Sequence, residues 1–130
     1  MSSFYELIQK IKKRPSMYLG KPAISNLRSC LAGYILARRE LGISQTEQEK
    51  KFTEFQGWIQ QKFNISSSQS WDKVILFYSE DERTALLRFF ELFEEFITSD
   101  NKTFVESLDF ELESSPDDKL VSKNSYQTNS

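Results

Sequence analysis

The chain has 130 residues, a formal net charge of −2, no histidine and a single cysteine, Cys30. The absence of histidine excludes Ser–His–Asp triads, Cys–His nucleophile pairs and histidine-dependent zinc sites. One cysteine cannot form an internal disulfide, and the length suits one domain. Because hydrophobic residues make up only 38% of the chain, its 11 phenylalanines must supply much of the core.

The N-terminal segment lacks the apolar stretch and the cleavage site of a signal peptide. No run of 18 apolar residues occurs, so we expect no membrane-spanning helix. A lone cysteine fits a reducing compartment, and we expect Cys30 to be a small buried residue of the second helix. Together these features predict a cytoplasmic protein.

Helical spacing of apolar residues predicts a first helix that Ser2 or Ser3 caps and that Pro15 ends. Residues 14–24 are predicted to form a loop because they contain two prolines and a glycine. The apolar face of this first helix comprises Phe4, Leu7, Ile8 and Ile11.

A second helix is predicted between a cap at Ser25 and a stop at Gly42. Ser44 and Glu47 match a capping box, S-x-x-E, which predicts that a third helix begins there. Its apolar face would contain Phe52, Phe55, Ile59 and Phe63.

The segment SSQSWDKVILFYS fits either a helix or a buried strand, and we favour a helix because no comparable strand is available to pair with it. A fifth helix is predicted after a second capping box, Ser79 with Glu82. Its apolar face comprises Leu86, Phe89, Phe90, Phe93 and Ile97.

From residue 99 onward the sequence is polar and acidic and then rich in Ser and Asn. Residues 104–112 could add a short strand or docking segment, and we expect disorder from about Ser114. The predicted architecture is therefore all-α: a compact bundle of about five helices over residues 1–98, followed by a polar, partly disordered tail over residues 99–130.

Charge is distributed unevenly along the chain. Residues 1–79 carry 12 basic and 6 acidic side chains, residues 80–118 carry 3 basic and 13 acidic ones, and residues 119–130 add two lysines. The net charges of these segments are +6, −10 and +2. An acidic segment of this kind favours a basic partner, and the acidic whole chain does not favour a general nucleic-acid binder.

Residues 13–20, KRPSMYLG, resemble the KRPGMYIG turn that joins two helices in the ATPase domains of type II topoisomerases. In that family the following helix supplies an acid and an asparagine to the nucleotide and its metal. Here that helix offers only Asn26, and no glycine-rich phosphate loop follows. A loop packed onto the core by Met17, Tyr18 and Leu19 is the structural alternative. An enzyme that uses ATP or a metal stays an alternative function.

Two other charged clusters have a structural and a functional interpretation. The acids of the fifth helix could bind a metal, but such sites need inward-facing acids from several helices, which favours a solvated or protein-binding face. The basic residues between Lys10 and Arg39 could contact phosphate, but no aromatic residues interleave with them. A helical adaptor or regulator that binds nucleic acid is a further alternative.

The pattern over residues 4–97 resembles a family of small bacterial immunity proteins from polymorphic-toxin and contact-dependent growth-inhibition loci. Three stretches carry the likeness: RPSMYLG, NLRSCLAGYILARRELG, and the segment from FTEFQGW through SSSQSWDKVILFYS to FFELFEEF. The resemblance implies a cytoplasmic protein that binds and neutralises one toxin domain. It also implies no enzymatic activity, no metal and no cofactor.

Toxin domains that attack nucleic acid are commonly basic, so an acidic surface can steer association and cover the substrate groove. We therefore predict that acidic residues of the fifth helix and of its flanks contact the toxin domain. These partner-binding residues are Asp81, Glu91, Glu94, Glu95, Asp109 and Glu111.

Overall fold

A computed structural model describes the backbone of residues 3–111 and the side chains of residues 3–99. The described chain is helical and contains no strand, which confirms the all-α prediction. The seven helices of this part are α1 (Phe4–Lys13), α2 (Pro15–Leu19), α3 (Ile24–Glu40), α4 (Glu47–Phe52), α5 (Phe55–Lys62), α6 (Trp71–Phe77) and α7 (Glu82–Glu111).

The chain divides into two units, Met1–Phe93 and Glu94–Ser130. In the first unit, α1 packs against α2 and α4, α5 packs against α6, and α3 contacts both α2 and α6. Among the described helices, none combines the length and the hydrophobicity needed to cross a membrane.

Helix α1 begins as its sequence predicts. The Ser3 hydroxyl accepts a hydrogen bond from the Glu6 N–H at 3.2 Å, and the Glu6 carboxylate accepts one from the Ser3 N–H at 2.9 Å. The helix ends before Pro15, also as predicted. The prediction of a loop from residue 14 is wrong in part, because Pro15 starts the short helix α2. Proline suits a first helical position because it has no N–H to leave unpaired.

The turn between α2 and α3 is held by local hydrogen bonds. Gly20 adopts a φ of 75°, and its N–H donates to the Ser16 carbonyl at 2.9 Å. The Asn26 side-chain amide donates to the carbonyls of Leu19 at 3.1 Å and Lys21 at 3.3 Å. This asparagine therefore fixes the path of the chain between the two helices.

The predicted Ser25 cap of α3 is wrong. Helix α3 begins at Ile24 after Ala23, with no side-chain cap. Ser25 instead donates through its N–H at 3.0 Å and its hydroxyl at 2.8 Å to the carboxylate of Glu82. The predicted stop at Gly42 is confirmed, since Gly42 has a φ of 75° and its N–H bonds to a carbonyl in the last turn of α3.

The predicted third helix is two helices, α4 and α5, and its predicted capping box is wrong. The box begins two residues after Ser44: the Thr46 hydroxyl accepts from the Glu49 N–H at 3.1 Å, and Glu49 accepts from the Thr46 N–H at 3.0 Å. The same Glu49 carboxylate forms an ion pair with Arg38 of α3. The position of this capping box is thus fixed by a contact between α3 and α4.

The helix prediction for the fourth segment is confirmed by α6, in which Trp71, Val74 and Ile75 are buried. The predicted start of α7 is wrong, because Ser79 does not cap it. The Asp81 carboxylate caps α7 by accepting the Thr84 N–H at 2.8 Å.

Helix α7 runs past residue 98 as far as Glu111, so residues 104–111 are helical rather than a short strand. The predicted disorder from Ser114 lies outside the described residues.

An aromatic cluster fills the core of the first unit. The Phe55 ring lies 5.5–6.0 Å from the rings of Phe52, Trp71, Phe89 and Phe93. The predicted phenylalanine-rich core is confirmed, and burying each such side chain contributes about 1.5–3 kcal/mol.

Cys30, which we expected to be buried, is only half-buried.

Candidate functional site

Residues 77–82 connect α6 to α7, and we name this segment the α6–α7 corner. Several hydrogen bonds hold its backbone in place. The Ser79 hydroxyl donates to the Ile75 carbonyl at 2.7 Å, and the Ala85 N–H donates to the Asp81 carbonyl at 2.9 Å. Glu82 at the start of α7 is tied to Ser25 of α3. The exposed side chains of the corner therefore sit on a fixed backbone.

Asp81 is the exposed carboxylate at the centre of this corner. The hydrogen bond from the Thr84 backbone N–H lowers the pKa of Asp81 below its ordinary value, aided by the Thr84 hydroxyl and by the N–H and charge of Arg83. A hydrogen bond to the charged form of a carboxyl favours that form. Asp81 therefore carries a negative charge at neutral pH.

Large aromatic side chains stand beside Asp81 on the surface. Phe77 is 76% exposed and Tyr78 is 53% exposed. The centres of the Tyr78 and Phe63 rings lie 4.9 Å apart, and the two rings are stacked with 15° between their planes. The Phe77 ring packs edge-on against the Tyr78 ring, with 5.0 Å between the ring centres. The three rings form one aromatic cluster at the ends of α5 and α6.

The sequence predictions did not identify this cluster, because they placed Phe77 and Tyr78 in the fourth helix without assigning either residue to an exposed face. A signal was present, because Phe77 lies two residues after the buried Ile75, about 200° away around a helix of 3.6 residues per turn. A residue so placed points away from the face that α6 buries.

The predicted partner-binding acids are divided between the two units. Asp81 and Glu91 belong to the first unit and are exposed. Ten residues separate them, about 15 Å along the axis of α7, so they do not form a single cluster. Glu94 and Glu95 belong to the second unit and are exposed as well. The other two predicted positions, Asp109 and Glu111, are helical in backbone, and their side chains lie outside the described residues.

The acids of the first unit differ in their partners. Within the described part of the chain, Glu80, Asp81 and Glu91 form no ion pair within 4.0 Å. Ion pairs of the first unit include Arg28 with Asp72, Arg38 with Glu49, Lys50 with Glu47, and Lys51 with Glu54.

A groove of about 430 Å³ lies where α1, α3 and α4 meet. Its lining includes Arg38, whose Nε lies 2.5 Å from the Glu49 carboxylate and whose Nη2 donates to the Ser44 carbonyl at 3.3 Å. The Arg38 guanidinium also lies 5.6 Å from the Tyr34 ring centre. These groups bind one another, so the groove serves the packing of α3 against α4.

The KRPSMYLG segment is only partly packed as expected. Leu19 is buried, but Met17 and Tyr18 are exposed, so the expectation that all three pack on the core is wrong. Lys12, Lys13 and Arg14 are also exposed at the end of α1. The segment presents a basic, partly apolar surface.

Within the described residues, no three Cys, Asp or Glu side chains are grouped so that they could hold a metal ion. No family model, no curated protein and no solved structure matches this chain.

Proposed function

We propose that the protein is an immunity-type inhibitor that binds a basic bacterial toxin domain in the cytoplasm and performs no chemistry itself. The observation that carries this proposal is that the exposed carboxylates of residues 80–93, those of Glu80, Asp81 and Glu91, form no ion pair within 4.0 Å among the described residues. Their charges are left for an external partner.

Electrostatics supports this choice. Residues 80–118 carry a net charge of −10, while the chain as a whole carries only −2. A surface of one sign accelerates the encounter with a surface of the opposite sign and disfavours partners of like charge. An inhibitor that must reach its toxin before the toxin reaches nucleic acid benefits from such steering.

A search for a toxin gene beside this gene, followed by co-expression of its toxin domain with the protein, tests the function. We expect the protein to restore growth of cells that express that domain. Continued growth arrest, with both proteins present at equal levels, would reject the immunity role.

The double charge reversal Glu91→Lys with Glu95→Lys tests the surface. We expect association with the toxin domain to slow at least tenfold at low ionic strength and the difference to shrink as salt is added. The matched control is Glu40→Lys with Glu47→Lys, which changes the net charge equally at exposed sites on α3 and α4. Unchanged affinity at low salt would remove the acidic surface from the interface.

A second candidate is a nucleic-acid adaptor, favoured by the exposure of Lys12, Lys13 and Arg14 together at the end of α1. Passage over immobilised heparin at physiological salt separates the two functions. Retention that Lys12→Glu with Lys13→Glu abolishes would support the adaptor, and flow-through would support the inhibitor.

A further inference from the structure

We propose that the end of α1 and the short helix α2 bind reversibly to the surface of a membrane that contains anionic phospholipids. The contact residues are Lys12, Lys13 and Arg14 at the end of α1 and Met17 and Tyr18 of α2, and we name this group the α1–α2 tip. The proposal is independent of the inhibitor function, which uses the acidic residues near the start of α7.

Unpaired positive charge is the first argument. Lys12, Lys13 and Arg14 are exposed at consecutive positions. Within the part of the chain that the structure describes, none of the three forms an ion pair or a side-chain hydrogen bond. Their charges therefore face solvent and are available to an anionic surface.

The surroundings of the α1–α2 tip have the same sign of charge. Helix α2 packs mainly against α1 and α3, and the sequence between Glu6 and Glu40 contains eight basic residues and no acidic one. Glu6 takes part in the cap of α1, and Glu40 is the last residue of α3. Glu82, which the fold brings to the start of α3, is hydrogen-bonded to Ser25. The local charge thus identifies an anionic occupant.

Exposed apolar surface is the second argument, and it favours a membrane over a nucleic acid. Met17 is 67% exposed and Tyr18 is 39% exposed beside the three cations. At a bilayer surface an apolar side chain enters the boundary between headgroups and acyl chains, and a tyrosine lies at headgroup level. Proteins that bind single-stranded nucleic acid combine positive charge with several stacking rings, whereas the α1–α2 tip has one ring and a thioether.

The backbone of the α1–α2 tip is fixed before any contact is made. The Met17 N–H donates to the Arg14 carbonyl at 3.1 Å, and Leu19 at the end of α2 is buried. The Asn26 amide holds the following turn through the carbonyls of Leu19 and Lys21. Binding therefore orders little additional backbone, which lowers its entropic cost.

Co-sedimentation of the full chain with lipid vesicles tests the proposal. The vesicles contain phosphatidylcholine with about 30% phosphatidylglycerol, or phosphatidylcholine alone. We expect binding to the anionic vesicles only, and we expect it to weaken as salt is added. Lys12→Gln with Lys13→Gln should weaken the binding about 30-fold, since each basic residue near an anionic surface contributes about fivefold.

Lys50→Gln with Lys51→Gln is the matched control for charge. These adjacent lysines of α4 are already paired with Glu47 and Glu54, so their loss should leave vesicle binding unchanged. Thermal unfolding should show both double variants to be folded, because exposed lysines contribute little to stability.

Met17→Ser tests the apolar contribution. We expect it to weaken vesicle binding about fivefold at a salt concentration where electrostatic attraction is largely screened. Leu41→Ser, at a position that is 75% exposed at the end of α3, is the control and should have no effect.

Three results would overturn the proposal. One is the absence of binding to the anionic vesicles, and another is an equal loss of binding in the two lysine double variants. The third is tighter binding to duplex DNA than to the vesicles, abolished by Lys12→Gln with Lys13→Gln, which would assign the α1–α2 tip to a nucleic acid. Each of these results leaves the inhibitor function standing, because growth rescue measures that function separately.

Discussion

At the α3–α4 junction, the carboxylate of Glu49 is 4% exposed and binds Arg38, which is itself 12% exposed. At the α6–α7 corner, the carboxylate of Asp81 is in solvent and its fixed partners are the backbone and hydroxyl of its own helix. Both carboxylates take part in helix caps. Only the first is also neutralised by a side chain from another helix.

The difference separates two uses of charge in one small unit. A buried ion pair ties two helices together, and removing one partner leaves an uncompensated charge in the interior. The Asp81 carboxylate contributes a helix cap to folding, but its charge faces solvent and remains available for association. Stability should therefore respond to the junction, and partner binding should respond to the corner.

The largest expected effect is at the junction. Glu49→Gln leaves Arg38 without its counter-charge, and we expect it to lower the free energy of unfolding by about 3–5 kcal/mol. Urea denaturation followed by circular dichroism measures the change. Glu80→Gln, at an exposed position of the corner, should change it by less than about 0.5 kcal/mol. Equal effects of the two substitutions would abolish the distinction between junction and corner.

A double-mutant cycle sharpens the first result. Removing both charges with Arg38→Met and Glu49→Leu should cost less than the sum of the single substitutions, with a coupling of about 1–3 kcal/mol. Denaturation midpoints of the four proteins supply the cycle. Strict additivity would mean that Arg38 and Glu49 stabilise the fold independently of each other.

The cap at the junction gives a smaller effect. Thr46→Ala removes the hydroxyl that accepts the Glu49 N–H, and we expect a loss of about 1 kcal/mol in the free energy of unfolding. Thr46→Ser keeps the hydroxyl and should retain most of the stability. A serine variant as unstable as the alanine variant would point to lost packing rather than to a lost cap.

The smallest effect is the pH dependence at the corner. Because the pKa of Asp81 is lowered in the folded protein, its contribution to stability is present above the unfolded-state pKa and lost as pH falls through the folded one, below roughly pH 4. The Tm difference between the wild type and Asp81→Asn should therefore shrink below that pH. A difference that grows on acidification would contradict the hydrogen bonding described for Asp81.

The helices and most of the core follow from local sequence, since apolar spacing places Phe4, Ile8 and Ile11, and later Phe89 and Phe93, on buried faces. The positions of the helix caps do not follow from local sequence. The sequence SQTEQE contains two overlapping capping boxes, and the tertiary contact between Arg38 and Glu49 selects the second.

A contact between residues far apart in sequence explains why the caps predicted for α3 and α7 are wrong. Glu82 is 57 residues from Ser25, and the bond between them draws both residues away from their expected capping roles. Such a partner cannot be identified from local spacing. The negative charge of Asp81 in the corner can be read from the sequence, but the exposure of the aromatic rings cannot, because it depends on where α5 ends beside α6.

The bond between Ser25 and Glu82 also bears on the order of folding. Closing a chain segment of this length costs entropy that short-range helix contacts avoid, so we expect local pairs such as α1 with α2 and α5 with α6 to form first. The joining of α3 to the start of α7 is then a late step. Loss of the bond should speed unfolding more than it slows folding, and a chevron plot of Ser25→Ala measures both rates. If unfolding speeds up and folding does not slow, the corner is set in place after the helices that carry it have formed.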